Sequence, residues 1–280
     1  MNIHASVDAM RAASRSVHRK GQRLGLVPTM GALHEGHLAL VRAAKAQADV
    51  VAASIFVNPL QFGAGEDLIS YPRTFERDCE LLEKEGVELL FAPAVEQMYP
   101  EKAITYVQVE GLSEKLDGKS RPGHFRGVST VVSKLFHILQ PDLAFFGQKD
   151  AAQVAIIRRM VGDLNIPVEV VVCPIVREAD GLAMSSRNAY LDAQQRKSAL
   201  VLHRSLLQIE KSFQNAECKT APLIAAGKQV LSEEPAVRLD YLEIVNPETL
   251  DPVAEVTQNS LVAIAAYVGT TRLIDNILLG

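Results

Sequence analysis

Over the first two thirds of the chain, short strand-length apolar runs alternate with stretches of helical periodicity. Residues 24–28, 50–56, 88–92, 143–146 and 168–172 read as buried strands. Between them, residues 38–47, 74–85, 128–139 and 151–164 repeat apolar positions at three and four, over lengths that suit crossover helices. Strand and helix in alternation predict a parallel sheet covered on both faces, a Rossmann-like, doubly wound α/β fold. After Arg177-Glu-Ala-Asp-Gly181 the pattern changes: residues 194–210 and 221–232 read as helices, and 241–245, 261–268 and 271–278 as strands of a smaller sheet. The expected organisation is an α/β domain over 1–175 and a smaller α+β domain over 176–280, which the length of 280 residues accommodates.

Composition narrows the classes without choosing one. The chain is 48% hydrophobic and 22% charged, as expected of a soluble globular protein. A net charge of -4 argues against a surface that neutralises a polynucleotide, so no nucleic-acid partner is expected. The three cysteines, Cys79, Cys173 and Cys218, are far apart and form no C-x-x-C pattern, which points to a reducing cytoplasm. No run approaches the roughly 18 apolar residues of a membrane span, and the N-terminus lacks a signal profile.

The chemistry concentrates at strand ends. Val27-Pro-Thr-Met-Gly-Ala-Leu-His-Glu-Gly-His37 closes one strand and opens a helix, placing His34 and His37 on one face of the helix start. Unpaired backbone N–H groups and the helix dipole attract anions there, the imidazoles add donors, and Gly31 and Gly36 allow close approach. The competing readings are histidines that merely cap or pack the helix, and a zinc pair lacking a nearby Cys or His-Glu-x-x-His set. Asn58 and Gln61 follow the second strand and present amides to a small substrate. Gly147-Gln148-Lys149-Asp150, with Gln153 just beyond, offers a phosphate charge at another strand end, against the alternative of a solvated Lys-Asp turn. Met184-Ser185-Ser186-Arg187 offers two hydroxyls and a guanidinium to a polyphosphate, against a helix-capping Ser-Ser pair. Arg121-Pro-Gly-His-Phe-Arg126-Gly reads equally well as anion-recognition loop or plain surface loop.

The His34-Glu-Gly-His37 and Met184-Ser-Ser-Arg187 segments resemble the HIGH and KMSKS signatures of the nucleotidyltransferase superfamily. With Phe56-Val-Asn-Pro-Leu-Gln-Phe62, Tyr71-Pro-Arg-Thr74, Arg121-Pro-Gly-His-Phe125, Phe146-Gly-Gln-Lys-Asp150 and residues 176–188, nearly the whole chain resembles the pantothenate synthetase family. The resemblance implies a ligase that condenses pantoate with β-alanine through a pantoyl adenylate, releasing AMP and pyrophosphate. It also implies magnesium with the ATP, a small C-terminal lid and a homodimer.

Carried over by position, the resemblance puts Met30, Gly31, Ala32, Leu33, His34, Glu35, Gly36 and His37 at ATP. Gly147, Gln148, Lys149, Asp150, Val176, Met184, Ser185, Ser186 and Arg187 complete the nucleotide site. Gln61 and Gln153 would hold pantoate, and Gln61 would also face β-alanine. His37 takes the proton-donor role, with His34, Lys149 and Arg187 beside it in catalysis; Asn58, Tyr71 and Arg121 are secondary. Direct magnesium ligands are unknown. Gln148 departs from the commoner Glu, with a modest effect expected, and alanine at His37 is expected to cut adenylate formation with little effect on folding. The rival readings are another adenylyltransferase of the superfamily and a non-catalytic nucleotide-binding or tRNA-binding module.

Overall fold

Strand alternation sorts the central core. In the computed structural model, which describes residues 1–280, the strands are β1 (Asn2–His4), β2 (Leu24–Thr29), β3 (Val50–Ile55), β4 (Leu89–Phe91), β5 (Leu143–Gly147) and β6 (Glu169–Cys173). They form one parallel sheet in the order β1-β4-β3-β2-β5-β6. The long helices around it are α1 (Val7–Arg19), α2 (Glu35–Lys45), α3 (Phe75–Lys84), α6 (His124–Leu139) and α7 (Ala151–Asp163), with short turns of helix at α4 (Val95–Met98) and α5 (Asp117–Ser120).

Because successive side chains point to opposite faces, Leu24, Leu26, Ala52, Ala144 and Phe146 pack on one side with α1, α6 and α7. Val27, Val51, Ala53, Leu143 and Phe145 pack on the other with α2 and α3. A sheet buried on both faces needs apolar residues at nearly every position, and β2 and β3 read that way.

The order reverses between β2 and β5, since the connections run outward from β2 to β3 and β4 and then return to β5 and β6. Ligands of doubly wound sheets sit at the carboxyl ends of the strands at this switch point. The loop after β2 carries the two histidines, and the turn after β5 carries Lys149.

The C-terminal part contains α8 (Ala193–Gln214), α9 (Thr220–Leu231) and an antiparallel sheet of β7 (Val237–Val245), β8 (Leu261–Val268) and β9 (Thr271–Leu278). Val262, Ile264 and Ala266 of β8 face a core shared with α8 and α9, whereas Leu261 and Ala263 join the core of the parallel sheet. The small sheet is therefore docked on the larger body through β8.

Several expectations shift. The chain opens with β1 and α1, which the apolar pattern did not reveal: β1 has three residues, and α1 buries only Met10, Ser14 and Val17 on a mostly polar helix. α6 starts at His124, so the glycine-rich segment expected to be a loop through Gly127 is half helix. β7 begins at Val237 and carries a register shift between Leu239 and Tyr241.

Candidate active site

The loop after β2 is shaped by a buried carboxylate. Asp78, on α3, accepts hydrogen bonds from the backbone N–H groups of Ala32 (2.8 Å) and Leu33 (2.9 Å), and from the Thr74 hydroxyl (3.0 Å). These bonds hold Gly31 and Ala32 in left-handed conformations, at φ 81° and 49°. The Ala32 and Leu33 amides thus face α3, not an incoming anion.

His34 is the N-cap of α2. Its Nδ1 accepts from Gly36 N–H (3.1 Å), and His37 Nδ1 accepts from His34 N–H (3.3 Å), a capping box built from two imidazoles. Gly36 is needed here, because a Cβ at that position would sit 2.9 Å from the His34 ring. The rings lie 4.1 Å apart. With both Nδ1 atoms accepting, each neutral ring carries its proton on Nε2 and can donate outward. Burial, with the Lys149 charge, lowers the pKa of His34 to about 4; burial, the His34 ring and Lys149 lower that of His37 to about 3. The capping alternative is therefore realised through Nδ1 of each ring, which leaves Nε2 of both rings uncommitted. The Glu35 side chain does not join them: it pairs with Arg42 on the outer face of α2.

Gln61 lies in the turn Pro59–Gln61 after β3 and is 9% exposed. Its Oε1 accepts from Asn58 Nδ2 (3.1 Å), Asn58 Oδ1 accepts from the Tyr99 hydroxyl (2.9 Å), and Gln61 Nε2 contacts Met30 Sδ at 3.0 Å. This chain fixes the amide with its donor side toward the histidine loop. Gln61 O also accepts from His124 Nδ1 (2.7 Å), whose Nε2 faces the Arg121 guanidinium at 3.0 Å. Burial and the Arg121 charge lower the His124 pKa to about 4, consistent with a neutral ring protonated on Nδ1. Arg121, left between site and surface by the sequence, is held by Glu66 with two contacts of 2.7 Å.

A cavity of about 830 Å³ is lined by residues of both parts, among them Lys149, Asp150, Gln153, Ser185 and Arg187 together with Asp67, Arg121 and His124. Met30, His34, His37 and Gln61 do not line it. They adjoin it through the Arg121–His124–Gln61 contacts and through Met184, which approaches Gly36. Gly147 has no neighbour within 4 Å of where a Cβ would stand.

The Met184–Arg187 segment is locked to the loop after Gly63. Arg187 holds Asp67 through two hydrogen bonds (2.9 and 2.8 Å), Ser186 Oγ lies 3.2 Å from the Tyr71 hydroxyl, and the Tyr190 hydroxyl donates to Ser70 O (3.2 Å). Ser185 caps the turn Ser186–Tyr190 by accepting from Arg187 N–H. Val176 O accepts from Met184 N–H (3.0 Å). The sequence reading missed Asp78, Asp67, His124 and Tyr99 as parts of the site; only His124, inside a glycine-rich basic motif, carried a local signal.

The three depressed histidines of the site make stability pH-dependent. A histidine whose pKa is lowered by folding must be neutralised to fold, so its contribution is fully present above the unfolded value of about 6.5. That contribution is lost as the pH falls toward the folded values of about 4 for His34 and His124 and about 3 for His37. The urea midpoint is expected to be flat from pH 8 to 7 and to fall steadily from pH 6.5 to 4. A midpoint that rises over that acid range would contradict the assignment.

The family model described as Pantoate-beta-alanine ligase matches residues 2–278. A pantothenate synthetase from Koribacter versatilis is 58% identical over 279 residues, covering 100% of this chain and 96% of the relative. The crystal structure of pantothenate synthetase from Thermus thermophilus superimposes with a TM-score of 0.95 at 48% identity, covering 100% of this chain and 99% of that one. That of pantoate-beta-alanine ligase from Francisella tularensis, complexed with beta-gamma ATP and β-alanine, gives 0.83 at 34% identity, covering 99% and 97%.

Proposed function

Since the chain belongs to the pantoate-beta-alanine ligase family, we propose that its switch-point site activates pantoate with ATP and passes the acyl group to β-alanine. The protein is an ATP-dependent pantoate–β-alanine ligase. The observation that carries the mechanism is the pair of neutral imidazoles with both Nε2–H groups free to donate at a helix start. In the first half-reaction a pantoate carboxylate oxygen bonds to the α-phosphorus and the bond to pyrophosphate breaks. Two anions must approach each other, so charge neutralisation and positioning carry the rate. His34 and His37 donate hydrogen bonds to phosphate oxygens, and Lys149 and Arg187 offset the charge that grows on them. Burial keeps the His37 ring neutral in the ligand-free site, so its Nε2–H is available as a hydrogen-bond donor when the phosphates arrive. Gln61 and Gln153 orient pantoate. In the second half-reaction the β-alanine amine bonds to the acyl carbon and AMP departs with the former carboxylate oxygen. Gln61 faces that amine.

Magnesium is proposed to accompany ATP. Mg²⁺ keeps several waters and takes one or two carboxylates beside phosphate oxygens. Asp150 suits it, since its side chain caps no helix and lies only loosely, 3.7 Å, from Lys149. The proposed domains are residues 1–175 and 176–280, the second acting as a lid over the cavity. A homodimer in the cytoplasm completes the reading: the family resemblance supports the dimer, and the unpaired Cys79, Cys173 and Cys218 support a reducing compartment. No helix is long and apolar enough to cross a membrane.

The test is a reaction stopped halfway. With ATP and pantoate but no amine, mass spectrometry is expected to detect a pantoyl adenylate and an equal amount of pyrophosphate, and β-alanine then releases AMP. Pyrophosphate release only in the presence of β-alanine would overturn the adenylate route.

A further inference from the structure

The turn that carries Lys149 is tied down from the other body of the protein. Asn276, on β9, is 2% exposed and uses its whole side-chain amide on this turn. Its Nδ2 donates to Gln148 O (3.0 Å) and to Lys149 O (2.9 Å), and its Oδ1 accepts from Gln148 Nε2 (3.1 Å). The turn has no side-chain cap of its own, since neither Gly147 nor Asp150 supplies one. The neighbouring residue repeats the arrangement. Asp275, 4% exposed, holds Arg177 through contacts of 2.6 and 2.9 Å, just beyond Val176.

We infer that Asn276 is a positioning residue for ATP, acting through the Gln148–Lys149 turn, and that the centre of β9 is the fixed point about which the C-terminal domain meets the nucleotide site. The inference rests on the proposed role of Lys149 at ATP. Its physical basis is that a lysine ammonium on a flexible stem is only as well placed as the backbone that carries it. Two carbonyls gripped by one planar amide fix that backbone in position and orientation. Gln148 fits the same scheme: its amide gives Asn276 Oδ1 a donor partner, so that both ends of the Asn276 amide are satisfied. The turn thus depends on a residue more than 120 positions away in sequence.

Asn276→Ala is expected to weaken ATP binding about tenfold by titration calorimetry, with the two buried hydrogen bonds to the turn's carbonyls counted at roughly a factor of a few each. KM for pantoate should stay within twofold. Asn276→Asp, which keeps the shape but presents oxygens to two carbonyls, should be no better than alanine. The deciding measurement repeats the substitution in a Lys149→Met background. If Asn276 acts through the turn, its further effect on ATP affinity there falls below twofold. Equal losses for ATP and pantoate, or an undiminished tenfold effect without Lys149, would overturn the inference and identify Asn276 as a general packing residue. Wild-type protein that fails to make pantothenate would instead refute the proposed function and leave the ATP-binding result standing.

Discussion

Replacing His37 by alanine is expected to lower ATP–pyrophosphate exchange by roughly 10²- to 10³-fold, the usual cost of removing one preorganised donor from developing oxyanion charge. The ring is preorganised because its Nδ1 is committed to the His34 N–H, which fixes both the tautomer and the direction of Nε2–H. That same bond means alanine also removes half of a capping box, at about 1 kcal/mol of stability. The sequence-based expectation of little effect on folding needs that correction. His37→Asn separates the two roles: its amide oxygen can restore the cap but its donor is too short to replace Nε2. Asparagine should recover most of the lost stability and little of the exchange rate. A folded His37→Ala protein exchanging within threefold of wild type would remove His37 from the mechanism.

Opposite effects are expected from the two halves of the Arg187–Asp67 pair. Although burial alone would raise the Asp67 pKa, hydrogen bonding and charge from Arg187 hold it below the usual carboxylate range. Asp67 therefore stays anionic and occupies both sides of the guanidinium fork proposed to grip ATP. Arg187→Ala should reduce kcat/KM for ATP about 100-fold, and lysine should restore little, because a point charge cannot reproduce bidentate donation. Asp67→Asn should lower KM for ATP by a factor of about 2 to 5, the worth of a partly exposed ion pair that no longer competes with phosphate. Steady-state kinetics on both variants decides the matter. If Asp67→Asn instead impairs ATP use as Arg187→Ala does, Asp67 orients Arg187 and does not compete with the nucleotide.

Legibility followed the range of each interaction. The parallel sheet, α2 and the three-stranded sheet could be read because burial on both faces, or on one stripe, imposes a period on neighbouring residues. α1 could not, since three buried positions in thirteen residues leave a mostly polar sequence. Asp78 had no local signal: an acidic residue in the first turn of a helix is ordinarily a solvated dipole partner. Here it turns inward to bind two loop amides 46 and 45 residues away.

By itself the sequence determined the α/β class, the strand-to-helix junction at His34 and His37, the Lys149 turn and the family, because each depends on residues close together or on a motif carried whole. Only the tertiary structure decided that Arg121 and His124 grip Gln61, that Asp67 occupies Arg187, and that Asn276 holds the Lys149 turn. Those contacts join segments far apart in the chain. Their partners are chosen by how the layers of the fold pack on one another, and no periodicity along the sequence records that choice.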